Sequence, residues 1–219
     1  MSDIISSAKT ELINCKTTGD IRRVSAKLFP EVKGKPIDCV VSACGELLEQ
    51  RDWALGVIAY DFAYRVRKQY DDGTFAVFED WLERYVRGWG DCDDFCTHAF
   101  GELIAQRPEL IALVKTWTRR DEFWMRRAAA VVLFPSIKQG GYKETDPLKI
   151  ADLLMMDKHK LVLQGYGWML KELSKKEPQL VFDYLPKNKA AMPRTAFRYA
   201  LEKMDEDSKR VLMGKEGNI

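Results

Sequence analysis

Four side chains in this sequence could do chemistry together: Trp89, Asp93, Arg127 and Trp168. The first two lie in Arg87-Gly88-Trp89-Gly90-Asp91-Cys92-Asp93-Asp94, where two glycines bracket a tryptophan and three acids follow within four positions. Packing of an amphipathic helix needs none of this. A helix start would use the glycines as a break and one acid, Asp91 or Asp93, as acceptor for free backbone N–H groups, which leaves two acids and the tryptophan to explain. A carboxylate flanked by indole faces and set beside a guanidinium suits a reaction that develops positive charge on a sugar. The anion and the ring quadrupoles both stabilise a cation, and the arginine would hold a phosphate of the same nucleotide.

Each residue also has a plain structural reading. Asp93 can be a helix cap, and Trp168 can be core. Trp168 stands in Gly165-Tyr166-Gly167-Trp168, and each helical glycine costs about 1 kcal/mol relative to alanine, so a neighbouring helix or a ligand must approach that backbone closely. Arg126 and Arg127 point about 100° apart on a helix, so only one of them can face a groove. An arginine beside a run of alanines is expected to pair with an acid such as Asp93 or with a phosphate.

The elements that must position these residues read as helices throughout, because apolar residues recur at three and four positions rather than two. Residues 3–16 and 21–28 form the first two helices, with a polar loop at 29–35. From there antiparallel pairs are expected at 36–49 with 52–70, 74–87 with 92–106, 108–119 with 122–137, 147–156 with 159–175, and 178–185 with 193–204. Pro36, Pro108, Pro147 and Pro178 open the first helices of four pairs, where a missing N–H costs nothing. Starts roughly 30 to 40 residues apart are the period of stacked helix pairs. The reading is therefore an all-α superhelical stack of antiparallel pairs, a HEAT-like or ARM-type solenoid, forming a single domain over residues 1–219 whose tail, 205–219, frays. In such a stack the starts of successive second helices share one wall, which brings Trp89, Asp93, Arg127 and Trp168 together.

Composition narrows the classes. With 46% hydrophobic and 31% charged residues the chain can bury a core, and no apolar run approaches the roughly 18 to 20 residues of a membrane span. No secretory leader is evident, so a bacterial cytosolic location is expected. Five cysteines without a C-x-x-C pair argue against a disulfide framework or a zinc ribbon. Cys92, Cys96 and His98 spread around a helix axis, and neither a metal nor another cofactor is expected. A net charge of +2 does not by itself indicate nucleic acid, but cations gather at Arg65 to Lys68, Arg119-Arg120, Arg126-Arg127, Lys171 to Lys176 and Arg194 to Arg198. They read either as solvated helix surface or as one positive face.

The segment from Trp89 to Met204 resembles the AlkD family of bacterial DNA alkylation repair proteins, which are HEAT-like helical-repeat DNA glycosylases. The resemblance is carried by Trp89-Gly90-Asp91-Cys92-Asp93, Arg107-Pro108-Glu109-Leu110, Phe123-Trp124-Met125-Arg126-Arg127-Ala128-Ala129 and Gln164-Gly165-Tyr166-Gly167-Trp168-Met169-Leu170-Lys171. It implies removal of N3- or N7-alkylated purines from duplex DNA by hydrolysis of the N-glycosidic bond, by a monomer without cofactor. Trp89 and Trp168 would lie against the deoxyribose, Asp93 would stabilise the sugar cation and position water, and Arg127 would grip the backbone. Arg126, Lys171, Arg194 and Arg198 are the further DNA contacts expected. The sequence departs from the family at Gly88, where relatives often carry a second tryptophan, and at Gly165, where a lysine is common; its first 50 residues match poorly. Two other readings stay open: a non-catalytic helical-repeat module binding DNA or protein, and a metal-dependent nuclease using Asp91, Asp93 and Asp94.

Overall fold

The computed structural model describes residues 2–214, and among these every regular element is helical, with no strand. They divide into two compact units, split between Leu103 and Ile104.

The first unit opens with helices Ser2–Leu12 and Thr18–Leu28. The first stops earlier than its periodicity predicts, for a local reason. The Asp20 carboxylate accepts the backbone N–H groups of Lys16 and Thr17 at 3.1 and 2.9 Å, which commits those residues to a capping box for the next helix. Helices Ile37–Glu49 and Trp53–Arg65 follow as a tightly joined pair. Arg51 makes the turn in the left-handed region (φ 55°), and the Asp52 carboxylate caps the second helix by accepting from Leu55 N at 3.0 Å. Trp53–Arg65 is the central helix of the unit and is buried from Leu55 to Tyr60, so its sequence is apolar on nearly every side. Helix Thr74–Arg84 packs Phe78 and Trp81 against Phe95, with ring centroids 5.2 and 6.0 Å apart. Tyr60 stacks on the same Phe95 at 4.4 Å. Phe95 thus anchors the helix that carries Trp89 and Asp93.

In the second unit, Lys160–Ser174 is the central helix, touched by Phe123–Val131, Pro147–Leu154, Pro178–Asn188 and Arg194–Leu201. Pro147 and Pro178 stand in the first helical turn, as their sequence context predicts. The run expected as one helix over 122–137 is broken: Val131 ends one helix and Phe134–Gln139 forms another. Pro135, with no N–H to give to the Val131 carbonyl, is the cause. Residues 205–213, expected to fray, instead form a helix, Glu206–Met213, capped by Asp205 and seated on the buried Leu212. Residues 215–219 of that expected tail lie outside the described residues. No helix among the described residues is long and apolar enough to cross a membrane.

Candidate nucleic-acid interface and catalytic residues

The helix carrying the acidic cluster starts at Trp89, three residues before the expected boundary, with Gly88 as its cap in extended conformation. The three acids therefore lie inside the first two turns rather than at the cap. A Cβ at Gly90 would sit 3.9 Å from Trp53 Nε1, an ordinary van der Waals contact, so the Trp53 indole lies near this turn without requiring glycine there. Trp89 is 57% exposed, a high value for the largest side chain, and Asp93 follows one helical turn later on the same side.

The three carboxylates have different environments. Asp94 is bound by Arg22, whose Nη2 lies 2.5 Å from Oδ1. Asp91 is half-buried; desolvation pushes its carboxyl above the usual range, opposed by the backbone N–H of Arg87 and reinforced by Asp94. Asp93, roughly 200° around the helix from Asp91, shares the Trp89 side. Three carboxylates pointed this way do not converge on one ion, and among the described residues no three His, Cys, Asp or Glu side chains group as metal ligands would.

Immediately after Phe95 the helix widens into a π-turn, Cys96–Phe100, before resuming as Gly101–Gln106. Such turns insert an extra residue and leave carbonyls to be satisfied by side chains. Here the Thr97 hydroxyl donates to Asp93 O at 2.7 Å, and His98 Nδ1 lies 2.9 Å from Asp94 O. Cys92 and Cys96 are fully buried. The cysteine–histidine grouping is thus core plus backbone contact, with no accessible thiol for nucleophilic work.

In the second unit, Arg127 is 5% exposed. Its Nη1 donates to Leu161 O at 2.5 Å. Gly165 makes room for it, because a Cβ at that position would lie 3.1 Å from Arg127 Cγ and 3.3 Å from Nη1. Gly167 serves a different neighbour: a Cβ there would come within 2.8 Å of Ala196 O and of Tyr199 Cβ, so helix Arg194–Leu201 crosses at that glycine. Both glycines answer to helix packing. Trp168, on the same helix, is partly exposed. It meets Phe134 edge-on at 4.4 Å, and its Nε1 donates to Glu172 at 3.3 Å.

The structure thus groups Trp89 with Asp93 in the first unit and Arg127 with the Trp168 helix in the second. Of the further cations, Arg126 is paired with Asp157 at 2.6 Å and also donates to the carbonyls of Arg120 and Asp121. Lys171 is paired with Glu202 at 2.8 Å. Both side chains are partly buried and ion-paired with an acid on a neighbouring segment. Arg194 and Arg198 are exposed, and line a cleft of about 540 Å³ with Lys189, Met192, Phe197 and Met213.

One residue that sequence reasoning passed over is Trp53, first in its helix and 49% exposed. It lines a cleft of about 180 Å³ with Arg51, Tyr85, Arg87 and Asp91, among others. The signal for it was a capping aspartate followed by an aromatic on the polar side of an otherwise apolar helix.

Comparison with known structures shows the fold independently. A chain described as "Predicted DNA alkylation repair enzyme from Enterococcus faecalis" superposes with a TM-score of 0.75 over 94% of each chain, at 14% sequence identity. Comparison with curated protein sequences finds no match. The family model for DNA alkylation repair enzymes matches residues 9–204. With nearly the whole chain matched and a fold of that kind, the protein belongs to the DNA alkylation repair enzyme family.

Proposed function

We propose that this chain is a HEAT-like DNA glycosylase that hydrolyses the N-glycosidic bond of N3- or N7-alkylated purines in duplex DNA. The observation that carries this is Trp89: an indole more than half exposed, one helical turn from a carboxylate, in a chain of a DNA alkylation repair family.

The chemistry follows from the lesion. An alkylated purine already bears positive charge, so the electron pair of the breaking C1′–N bond neutralises the departing base and little acid catalysis is required. The difficulty lies in the sugar cation left behind. Asp93 is proposed as the carboxylate that stabilises it and orients the water that attacks C1′, with the water's proton released to solvent. Fixed charge in a partly dehydrated site is worth several kcal/mol in reactions of this kind. Trp89 would lie against the sugar, excluding water and presenting its π-face to the developing charge. In the second unit, Trp168 is proposed as an aromatic DNA contact. Arg127 is proposed as a positioning residue, since it is buried against Gly165 and Leu161 of the helix that carries Trp168. Arg194 and Arg198 are proposed phosphate contacts. We take residues 1–219 as acting together on DNA as one monomeric chain in the cytosol, with no cofactor.

The test is release of free base from a duplex carrying N7-methylguanine, in EDTA, followed by chromatography of the released base. Release is the expected result. Duplex binding without release would leave a non-catalytic helical-repeat DNA-binding module.

A further inference from the structure

The helix that carries Trp89 and Asp93 cannot fix its own orientation. It has seven residues, its cap residue Gly88 has no side chain, and its last turn runs into the π-turn Cys96–Phe100. A helix this short has little stability of its own, so neighbours must hold it. Phe95 anchors it on the core side. A second hold comes from Arg22, 72 positions before Asp94, on helix Thr18–Leu28.

Arg22 Nη2 donates to Asp94 Oδ1 at 2.5 Å and lies 3.5 Å from His98 Nδ1. His98 Nδ1 is 2.9 Å from the Asp94 carbonyl and 3.1 Å from the Thr97 hydroxyl, which donates to the Asp93 carbonyl at 2.7 Å. One guanidinium thus reaches the side chain next to Asp93 and one of the two side chains that satisfy the carbonyls of the widened turn. Arg22 is itself firmly mounted. The capping box of Thr17 and Asp20 fixes the start of its helix, and Ile21, Val24 and Leu28 are buried. The buried Ser25, one turn after Arg22 on the same side, donates its hydroxyl to Asp61 of the central helix Trp53–Arg65. Asp94 is mostly buried and Arg22 about one-third exposed, yet Arg22 Nε is buried with no hydrogen-bond partner among the described residues. A partly buried ion pair with a donor left over is a poor source of stability. What it supplies is a fixed geometry for the groups beside it.

We propose that Arg22 is a positioning residue for the candidate catalytic helix: its ion pair with Asp94, backed by His98, sets the orientation in which Asp93 is presented to the reacting sugar. The N-terminal helix then takes part in the chemistry although it carries no candidate reacting group. A misplacement of about 1 Å at a reacting group costs up to about 100-fold in rate, so a strut at this position acts on the chemical step and leaves duplex affinity largely alone. The inference rests on the assignment of Asp93 proposed above.

The experiment measures single-turnover release of base from duplex DNA containing N7-methylguanine, with duplex Kd by anisotropy and melting temperature taken on the same preparations. The proteins are wild type, Arg22→Met, Arg22→Lys, the double variant Arg22→Met with Asp94→Leu, and Asp93→Asn. Arg22→Met is expected to slow release by about 10- to 100-fold, with Kd within about threefold of wild type. Arg22→Lys is expected to recover most of that loss, because an ammonium can replace the single contact to Asp94. The double variant exchanges both charges for apolar groups, which leaves stability nearly unchanged; it is expected to melt with wild type and to stay slow. Release by Arg22→Met at the wild-type rate overturns the proposal, as does a rise in Kd that accounts for the whole loss. If Arg22→Met does not fold, the double variant decides, and wild-type release by that folded variant overturns the proposal equally. Base release that depends on Asp93 but not on Arg22 defeats this inference alone. Release by Asp93→Asn at the wild-type rate, or none by wild type, defeats the glycosylase assignment and this inference with it.

Discussion

Gly165 and Gly167 stand two residues apart in one helix and do different work. Alanine at 167 would drive its Cβ to 2.8 Å of the Ala196 carbonyl and 3.0 Å of Ala196 Cα, backbone atoms that cannot swing aside. Gly167→Ala is therefore predicted to destabilise by about 2 kcal/mol despite the roughly 1 kcal/mol gained in helix propensity, measured by urea unfolding. Alanine at 165 faces only the Arg127 side chain, at 3.1 and 3.3 Å, which can yield by a few tenths of an ångström. That variant should change stability by less than about 1 kcal/mol and act mainly by displacing Arg127. The same geometry gives meaning to a departure from the family pattern, because the lysine common in relatives at position 165 would meet Arg127 at once. Sequence alone showed that something approaches this backbone. It could not show which helix does so at each glycine, because crossing partners are set by tertiary packing.

Helix boundaries depend on a few polar side chains, and their strength can be read through pH. The Asp20 carboxyl is held down to about 2 by the Thr17 hydroxyl first, then by the Lys16 and Thr17 N–H groups and Arg23. A depressed carboxyl contributes stability above its ordinary value of 3.8 and loses it as pH falls through the folded value. The first turn of Thr18–Leu28 is thus predicted to stay ordered at pH 5 and to fray between about pH 4 and 2, which amide exchange at residues 18–21 would register. Fraying complete above pH 4 would contradict the capping role. Most helices and their prolines were legible from apolar periodicity and turn residues. Three features were not. The Asp20 cap shortens the first helix, Pro135 splits a continuous apolar run, and the π-turn at Cys96–Phe100 leaves no mark in a pattern of period 3.6.

At the scale of the whole chain, the resemblance to DNA alkylation repair proteins was legible from Trp89 onward, where aromatic, acidic and glycine residues carry it. The family model extends the match to residue 9. The N-terminal helices are recognisable mainly by apolar periodicity, which many helical repeats share, so single residues there gave little to hold. The candidate site divides in the same way. Trp89 and Asp93 could be picked out by type and spacing, whereas the pairing of Arg126 with Asp157 and of Lys171 with Glu202 depends on which helices meet. Trp53 escaped notice because a lone tryptophan at a helix start reads as core until its exposure is known. The central claim is that Asp93 carries the chemistry, and it is tested most directly by comparing Asp93→Asn with wild type on duplex DNA containing N7-methylguanine. The two are measured side by side in EDTA under single-turnover conditions, with duplex affinity taken on the same preparations. The prediction is base release slowed by about 100-fold or more, with Kd within about threefold of wild type. Equal release rates for the two proteins would contradict the account.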